Sequence, residues 1–171
     1  MSCLASEEML GCTQCSLHKT RTQVVPGHGN TKAWLACIAE APGAQEDAEG
    51  EPLVGRAGQR FDSLLEKVGI KREDVWLDNL AHCRPPGNQL RDYPDAIARC
   101  PSLWLFPTLQ KLPNLRVIVA MGASAGGLWF PGLKATEISK LARAIDGLTL
   151  HGRDSCKRCE DSPLVIVVGS F

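Results

Sequence analysis

The sequence has 171 residues, with 19 basic and 19 acidic side chains and no net charge at pH 7. This length suits one domain with a single core, and the charge balance excludes a global attraction to nucleic acid while leaving local basic patches open. We expect neither a signal peptide nor a membrane span, because the start is acidic and the apolar run near the end is short.

Four short runs of β-branched and other apolar residues predict buried strands, at 33–40, 74–80, 115–121 and 164–168. Helical patterns lie between them. Strands that alternate with helices and are apolar on both faces predict an α/β fold, with three layers (α/β/α) around a central four-stranded parallel sheet. Ligands of such sheets bind at the carboxyl ends of the strands. We expect 1–171 to be a single domain, with the polar stretch 150–163 as a loop insertion.

The helical patterns cover 57–70, 93–112 and 134–147. In the second, Pro101 and Pro107 predict an interruption into two helical pieces. The first ends at Gly69, and its apolar residues recur at helical spacing on one face: Phe61, Leu64, Leu65 and Val68.

Eight cysteines without an export signal favour metal ligation or buried thiols over disulfides, so we expect a reducing, cytoplasmic compartment. Cys12 and Cys15 form a C-x-x-C pair, and Cys156 and Cys159 form another. Such a pair occurs in zinc, redox and cluster sites alike, and Cys83 and Cys100 could be ordinary buried thiols. The cysteine spacing alone therefore leaves the metal open.

Two longer motifs narrow the function. The stretch AEAPGAQEDAEGEPLVGRAGQ (39–59) follows the first strand, NLAHCRPPGN (79–88) ends the second, and cysteines flank both. In this order the motifs resemble the family 4 uracil-DNA glycosylases, the iron–sulfur branch of that superfamily. The resemblance covers essentially residues 9–170 and consists of several spaced motifs.

The resemblance implies a 4Fe–4S cluster with a structural role, held by Cys12, Cys15, Cys83 and Cys100. Zinc, which accepts the same four thiolates, is the alternative. The implied partner is uracil-containing DNA, single- or double-stranded. We expect the protein to be a monomer that does not bind a membrane. The residues expected to contact DNA are Arg56, Arg84 and Asn88.

The implied reaction is hydrolysis of the N-glycosidic bond of a flipped-out deoxyuridine, which initiates base excision repair. Glu40 and Glu46 take the acidic catalytic positions, although Glu46 could instead be an acid that favours the start of a helix. Asn79 would read uracil through its amide donor and acceptor. The base would also contact Gly43 and Leu53; Leu53 replaces the usual Phe of the family, so we expect weaker binding of uracil.

The sequence stops at Phe171, before the histidine–proline motif that the family carries after its fourth strand. That histidine would stabilise the leaving base. We therefore expect the chain to be a fragment or a part of a larger protein, truncated relative to the family. An alternative function is a cluster-bearing DNA-binding homologue with impaired catalysis.

A rival enzyme class is suggested by G-x-S-x-G at 122–126. Ser124, Asp146 and His151 follow the chain order of the α/β-hydrolase triad. This hypothesis explains neither the cysteines nor the CRPPGN stretch, and small residues also suit a tight turn between a strand and a helix.

Overall fold

The structure is a computed structural model that describes residues 2–130, 149–150 and 163–168. Its described strands form one seven-stranded sheet. In spatial order they are β1 (Ser2–Cys3), β2 (His28–Gly29), β4 (Trp76–Asn79), β3 (Leu35–Ala39), β5 (Val117–Met121), β7 (Leu164–Val168) and β6 (Thr149–Leu150).

The predicted four-stranded parallel sheet is confirmed as the centre of this larger sheet. β3 pairs in parallel with β4 on one side and with β5 on the other, and β5 pairs in parallel with β7. The three additional strands, β1, β2 and β6, are two residues long and extend the sheet with antiparallel pairs. Strands this short leave no periodic signal in a sequence, which explains why they were not predicted.

The described helices are α1 (Glu7–Leu10), α2 (Ala44–Glu49), α3 (Arg56–Lys67), α4 (Pro94–Cys100), α5 (Phe106–Gln110) and α6 (Ala123–Gly127). Along the chain, α1 precedes the parallel strands, and the other described helices lie between them. Short 3₁₀ turns occupy Ser16–Lys19, Arg72–Asp74, Pro86–Asn88 and Leu90–Asp92.

The predicted three layers are also confirmed, because β3 buries side chains on both faces. Leu35 and Cys37 pack in a core with Phe61 and Leu65 of α3. Ala36 and Ile38 belong to a second core with residues of the 101–110 helical region. A third core joins the N-terminal segment to the loop after β4 and to α4, and it contains Met9, Leu17, Leu80, Leu90 and Ala96. This last core brings the distant cysteine segments together.

The predicted apolar face of α3 is wrong at two positions. Leu64 is 41% exposed and Val68 is 68% exposed, whereas Phe61 and Leu65 are buried as expected. The helix ends at Lys67, so Val68 lies beyond its last turn, and Gly69 follows with φ of 71°. The buried stripe passes through Gly58, Phe61 and Leu65 instead.

The predicted interruption at the two prolines is only partly correct. Pro101 begins a π-helical turn, Pro101–Leu105, that connects α4 directly to α5. Pro107 is the second residue of α5 and does not stop it. Helical backbone therefore continues from Pro94 to Gln110 with a change of hydrogen-bond pattern at Pro101.

Two sequence predictions fall largely outside the described residues. The helix predicted at 134–147 and positions 151–162 of the loop predicted at 150–163 cannot be compared, and Cys156 and Cys159 lie in that loop. Leu150, assigned to the loop, is instead part of β6. In the described parts of the chain, no helix has the length and apolarity required to cross a membrane.

Cys37 is expected to resist alkylation in the folded protein. It lies in β3, is 2% exposed, and burial raises the pKa of its thiol to about 12. At pH 8 its thiolate is both rare and shielded from reagent, while Cys3 is exposed. Peptide mass spectrometry after treatment with iodoacetamide should find Cys3 modified and Cys37 unmodified. Equal modification of the two without unfolding would contradict the burial of Cys37.

Candidate active site

A cleft of about 660 Å³ opens at the carboxyl ends of β3, β4 and β5. Its walls come from the loop between β3 and α2, the start of α3, the loop after β4 and the turn after β5. β3 is the strand at which the chain order reverses, because β4 lies on one side of it and β5 on the other. Open α/β sheets bind ligands at this position, as the sequence pattern predicted.

Asn79 is the last residue of β4, lines the cleft and is 2% exposed. Its backbone N–H donates to Asp78 Oδ1 at 2.8 Å, which fixes the end of the strand. Among the described residues, its Nδ2 is the only buried side-chain nitrogen or oxygen without a hydrogen-bond partner. Leaving a buried amide donor unpaired costs about 1–3 kcal/mol. The position therefore suits a ligand that supplies an acceptor.

A buried polar network adjoins Asn79. Asp78, with no exposed surface, has Oδ1 2.8 Å from His82 Nε2, and its Oδ2 accepts a hydrogen bond from Trp76 Nε1 at 3.1 Å. His82 Nδ1 lies 3.2 Å from Cys100 Sγ. Burial opposes the charged form of His82, but Asp78 and Cys100 outweigh burial and raise its pKa to about 10. The network thus connects the Asn79 end of β4 to Cys100 at the end of α4.

The two carboxylates predicted to act in catalysis have different surroundings. Glu40 follows β3, is partly buried in the cleft wall, and its carboxylate has no hydrogen bond or ion pair within the described residues. Glu46 is buried, and its two carboxylate oxygens accept from Gly43 N at 3.0 Å and from Gly55 N at 2.8 Å. Glu46 therefore holds the loop after β3 against the start of α3, whereas Glu40 is available to a ligand or water.

Leu53 and Gly43, predicted to contact the base, both line the cleft. Leu53 is 6% exposed and has φ of 56°. The left-handed region costs an L-residue other than glycine roughly 1–2 kcal/mol. A bulky side chain held there is strained, and such strain is concentrated at binding and catalytic sites.

The residues predicted to contact DNA lie at or beside the cleft. Arg56 is the first residue of α3, is exposed and lines the cleft. Asn88 also lines the cleft. Arg84 Nε donates to Asn88 Oδ1 at 3.1 Å, which places its guanidinium next to the same loop. Their contact with DNA stays a prediction.

Ser124 also lines the cleft, in α6 just after Gly122, which has φ of 88°. Asp146 and His151 lie outside the described residues. The hydrolase triad therefore stays untested.

The four predicted cluster ligands line one small cavity, although they come from three separate segments. They are Cys12, Cys15, Cys83 and Cys100. No set of three or more His, Cys, Asp or Glu side chains in the described ranges is arranged to hold a single metal ion. The cavity between the four cysteines is only about 10 Å³. The match of these residues to a cluster therefore rests on the chemistry of the four sulfur donors and not on the cavity volume.

The surroundings of the sulfurs suit thiolate ligands. Hydrogen bonds to cysteine sulfur are among the protein features that tune iron–sulfur clusters. Burial raises the pKa of the Cys83 thiol to about 11, and the contact with Arg21 acts in the opposite direction. Three N–H donors reach the sulfurs: Arg21 Nη1 to Cys83 at 3.2 Å, Trp104 Nε1 to Cys12 at 3.4 Å and the His82 backbone to Cys100 at 3.4 Å.

Sequence reasoning did not find Arg21 or Trp104, which reach the site only through the fold. It also missed Asp78, for which the one available signal was its position directly before Asn79. For His82, the one available signal was its position directly before Cys83.

Comparison with known proteins matches this arrangement to a family. The family model described as the uracil DNA glycosylase superfamily covers residues 26–167. The chain belongs to this superfamily. The match begins just before β2 and ends in β7, so it includes the whole cleft.

The superfamily members most informative here are three type-4 uracil-DNA glycosylases. The Archaeoglobus fulgidus protein is 42% identical over an alignment of 138 residues, which covers 78% of this chain and 67% of that protein. The Thermotoga maritima protein is 39% identical over 145 residues, 85% of this chain and 74% of the relative. The Saccharolobus solfataricus protein is 44% identical over 143 residues, 81% and 64% of the two chains. The resemblance predicted from the motifs is confirmed.

Proposed function

We propose that this chain is a uracil-DNA glycosylase, which hydrolyses the N-glycosidic bond of deoxyuridine in DNA and so initiates base excision repair. The observation that carries the proposal is the unpaired, buried Nδ2 of Asn79 in the wall of the cleft. Membership of the uracil-DNA glycosylase superfamily and the names of the three relatives support it.

Asn79 supplies the recognition. Its Nδ2 donates to a uracil carbonyl, and its Oδ1 accepts from the N3–H beside that carbonyl. Cytosine presents the reverse pattern on this edge, with an amino donor beside an acceptor nitrogen. A cleft of about 660 Å³ lies in the size range of small-molecule sites and suits one base turned out of the DNA stack.

Glu40 supplies the electrostatic help for bond cleavage. The C1′–N1 bond breaks with its electron pair moving to uracil, and positive charge develops on the sugar. The free carboxylate of Glu40 stabilises this charge and orients the water whose oxygen bonds to C1′. That water loses a proton, and the departing uracil anion gains one from solvent. Glu46 keeps the two cleft loops in place through Gly43 and Gly55.

The DNA backbone is held at the rim of the cleft. Arg56 and Asn88 line the cleft, and Arg84 donates a hydrogen bond to Asn88, so these three side chains would contact the phosphates beside a flipped nucleotide. Contacts to phosphate fix the position of the protein without reading sequence.

Cys12, Cys15, Cys83 and Cys100 would hold a 4Fe–4S cluster. When bound, the cluster supplies four metal–thiolate bonds that join the N-terminal segment, the loop after β4 and the end of α4. Hydrolysis of a glycosidic bond involves no net oxidation or reduction, so the role is structural. A cluster held by thiolates fits a reducing compartment, and we place the protein in the cytoplasm.

Excision from oligonucleotides tests the proposed reaction. The chain, purified without oxygen, is incubated with single- and double-stranded DNA that carries one deoxyuridine, and abasic sites are revealed by alkaline cleavage. The matched control DNA carries thymidine at the same position. We expect cleavage only in the uracil substrates. Intact uracil after prolonged incubation with folded protein would contradict the proposal.

The cluster is tested through colour and metal content. The purified chain should be brown and contain four iron atoms per molecule, and Cys83→Ser should lose both features. The matched control is Cys3→Ser, because Cys3 is exposed and lies outside the cysteine cavity. A colourless protein that contains zinc would overturn the cluster and leave zinc in its place.

A further inference from the structure

We propose that Arg72 is a positioning residue for uracil recognition, which acts by holding the backbone of Leu53 in its left-handed conformation. The proposal rests on the proposed function, because it gives Arg72 a part in the same site. Arg72 lies in the 3₁₀ turn before β4 and is not among the residues that line the cleft.

The guanidinium of Arg72 donates hydrogen bonds to two successive backbone carbonyls. Its Nη2 donates to Pro52 O at 3.0 Å and to Leu53 O at 2.9 Å. Its Nη1 donates to Asp62 Oδ1 at 2.6 Å, on α3. The Arg72 side chain is 26% exposed, so these hydrogen bonds are partly shielded from water. A planar fork can serve three acceptors in fixed directions, which the single ammonium of lysine cannot reproduce.

The backbone of α3 also packs against the carbonyl group of Leu53. A Cβ added at Gly58 would overlap the carbonyl carbon and oxygen of Leu53. The carbonyl therefore lies directly against the helix backbone, at a distance that only glycine allows. Arg72 and Gly58 together fix where this peptide group lies, and Asp62 fixes Arg72.

The consequence reaches the cleft through Leu53. Its φ of 56° is unfavourable for leucine, so the segment would relax to another conformation if it were not held. Leu53 lines the cleft at the edge of the core beside α3 and is the residue predicted to contact the base, and its side chain is placed by its backbone. Arg72 thus affects uracil binding without touching uracil.

The test is a double-mutant cycle on the affinity for free uracil, using Arg72→Gln, Leu53→Ala and the double variant. Arg72→Gln should weaken binding roughly threefold to thirtyfold in the wild-type background and have little effect when Leu53 is already alanine. Arg116→Gln is the matched control, since its side chain is exposed and has no hydrogen bond in the described part of the chain. If Arg72→Gln does not fold, Arg72→Lys replaces it, because it retains the charge and loses the fork.

Hydrogen exchange distinguishes this proposal from the proposed function. Peptides covering 52–58 should exchange faster in Arg72→Gln than in Arg116→Gln, whether or not uracil binds. If the wild-type chain does not bind uracil, the proposed function fails. Unchanged exchange at 52–58 in Arg72→Gln would additionally show that Arg72 does not hold the backbone of Leu53. If uracil binds, equal effects of Arg72→Gln in both Leu53 backgrounds would overturn the positioning role.

Discussion

Asn79→Ala is expected to lower kcat/KM for uracil excision by about 10²–10³-fold, the usual cost of removing one well-placed hydrogen-bond donor from an active site. The substitution removes both the Nδ2 donor, which has no partner in the described protein, and the acceptor beside it. It leaves the backbone bond from Asn79 N to Asp78 in place. The fold should therefore persist, and the measurement is the rate of abasic-site formation in a deoxyuridine oligonucleotide.

Asn114→Ala is the matched control for this prediction. Asn114 is exposed, and its Nδ2 donates to Lys32 O at 3.2 Å, away from the cleft. Excision by this variant should equal that of the unmodified chain. Equal rates for Asn79→Ala and Asn114→Ala would remove Asn79 from the reaction.

Asp78→Ala is expected to destabilise the fold by about 3–5 kcal/mol, the typical cost of breaking a buried charged pair. Asp78 has no exposed surface and faces three donors, on Asn79, His82 and Trp76. Alanine would leave all three unpaired in the interior. For a chain of this size, the loss corresponds to a fall of roughly 6–20 °C in the melting temperature, measured by circular dichroism without oxygen.

Glu73→Ala provides the comparison for Asp78→Ala. The ion pair of Glu73 with Lys71 spans 3.6 Å between side chains that are 67% and 75% exposed. Exposed pairs contribute little to stability, so the melting temperature should stay close to that of the unmodified chain. If Asp78→Ala had the same melting temperature as Glu73→Ala, the buried network would not be needed for stability.

Much of the fold could be predicted because its central strands are buried on both faces. The apolar runs around Ile38, Leu77, Ile118 and Ile166 gave all four parallel strands. What local pattern could not supply was the end of α3, which leaves Val68 in solvent, and the π-helical turn at Pro101. Both depend on how the helices pack and connect, which a short sequence window does not contain.

The candidate site was predicted through motifs, and its supporting residues were not. The motifs supplied Asn79, Glu40 and the four cysteines because each belongs to a spaced pattern. His82 lies inside NLAHCRPPGN but received no role from it, and Arg72 belongs to no motif, because they act on Cys100 and Leu53, which only the fold brings near. Glu46 shows the same limit, because only the structure reveals that both of its oxygens are used by Gly43 and Gly55.

Titration of the chain with free uracil, followed by NMR, tests most directly whether the cleft recognises uracil through Asn79. The comparison ligand is 3-methyluracil, which lacks the N3–H that Asn79 Oδ1 would accept and adds a methyl group at that edge. We predict that uracil binds, that 3-methyluracil does not, and that Asn79→Ala abolishes binding of uracil. Equal binding of the two bases, or unchanged binding of uracil by Asn79→Ala, would contradict the account.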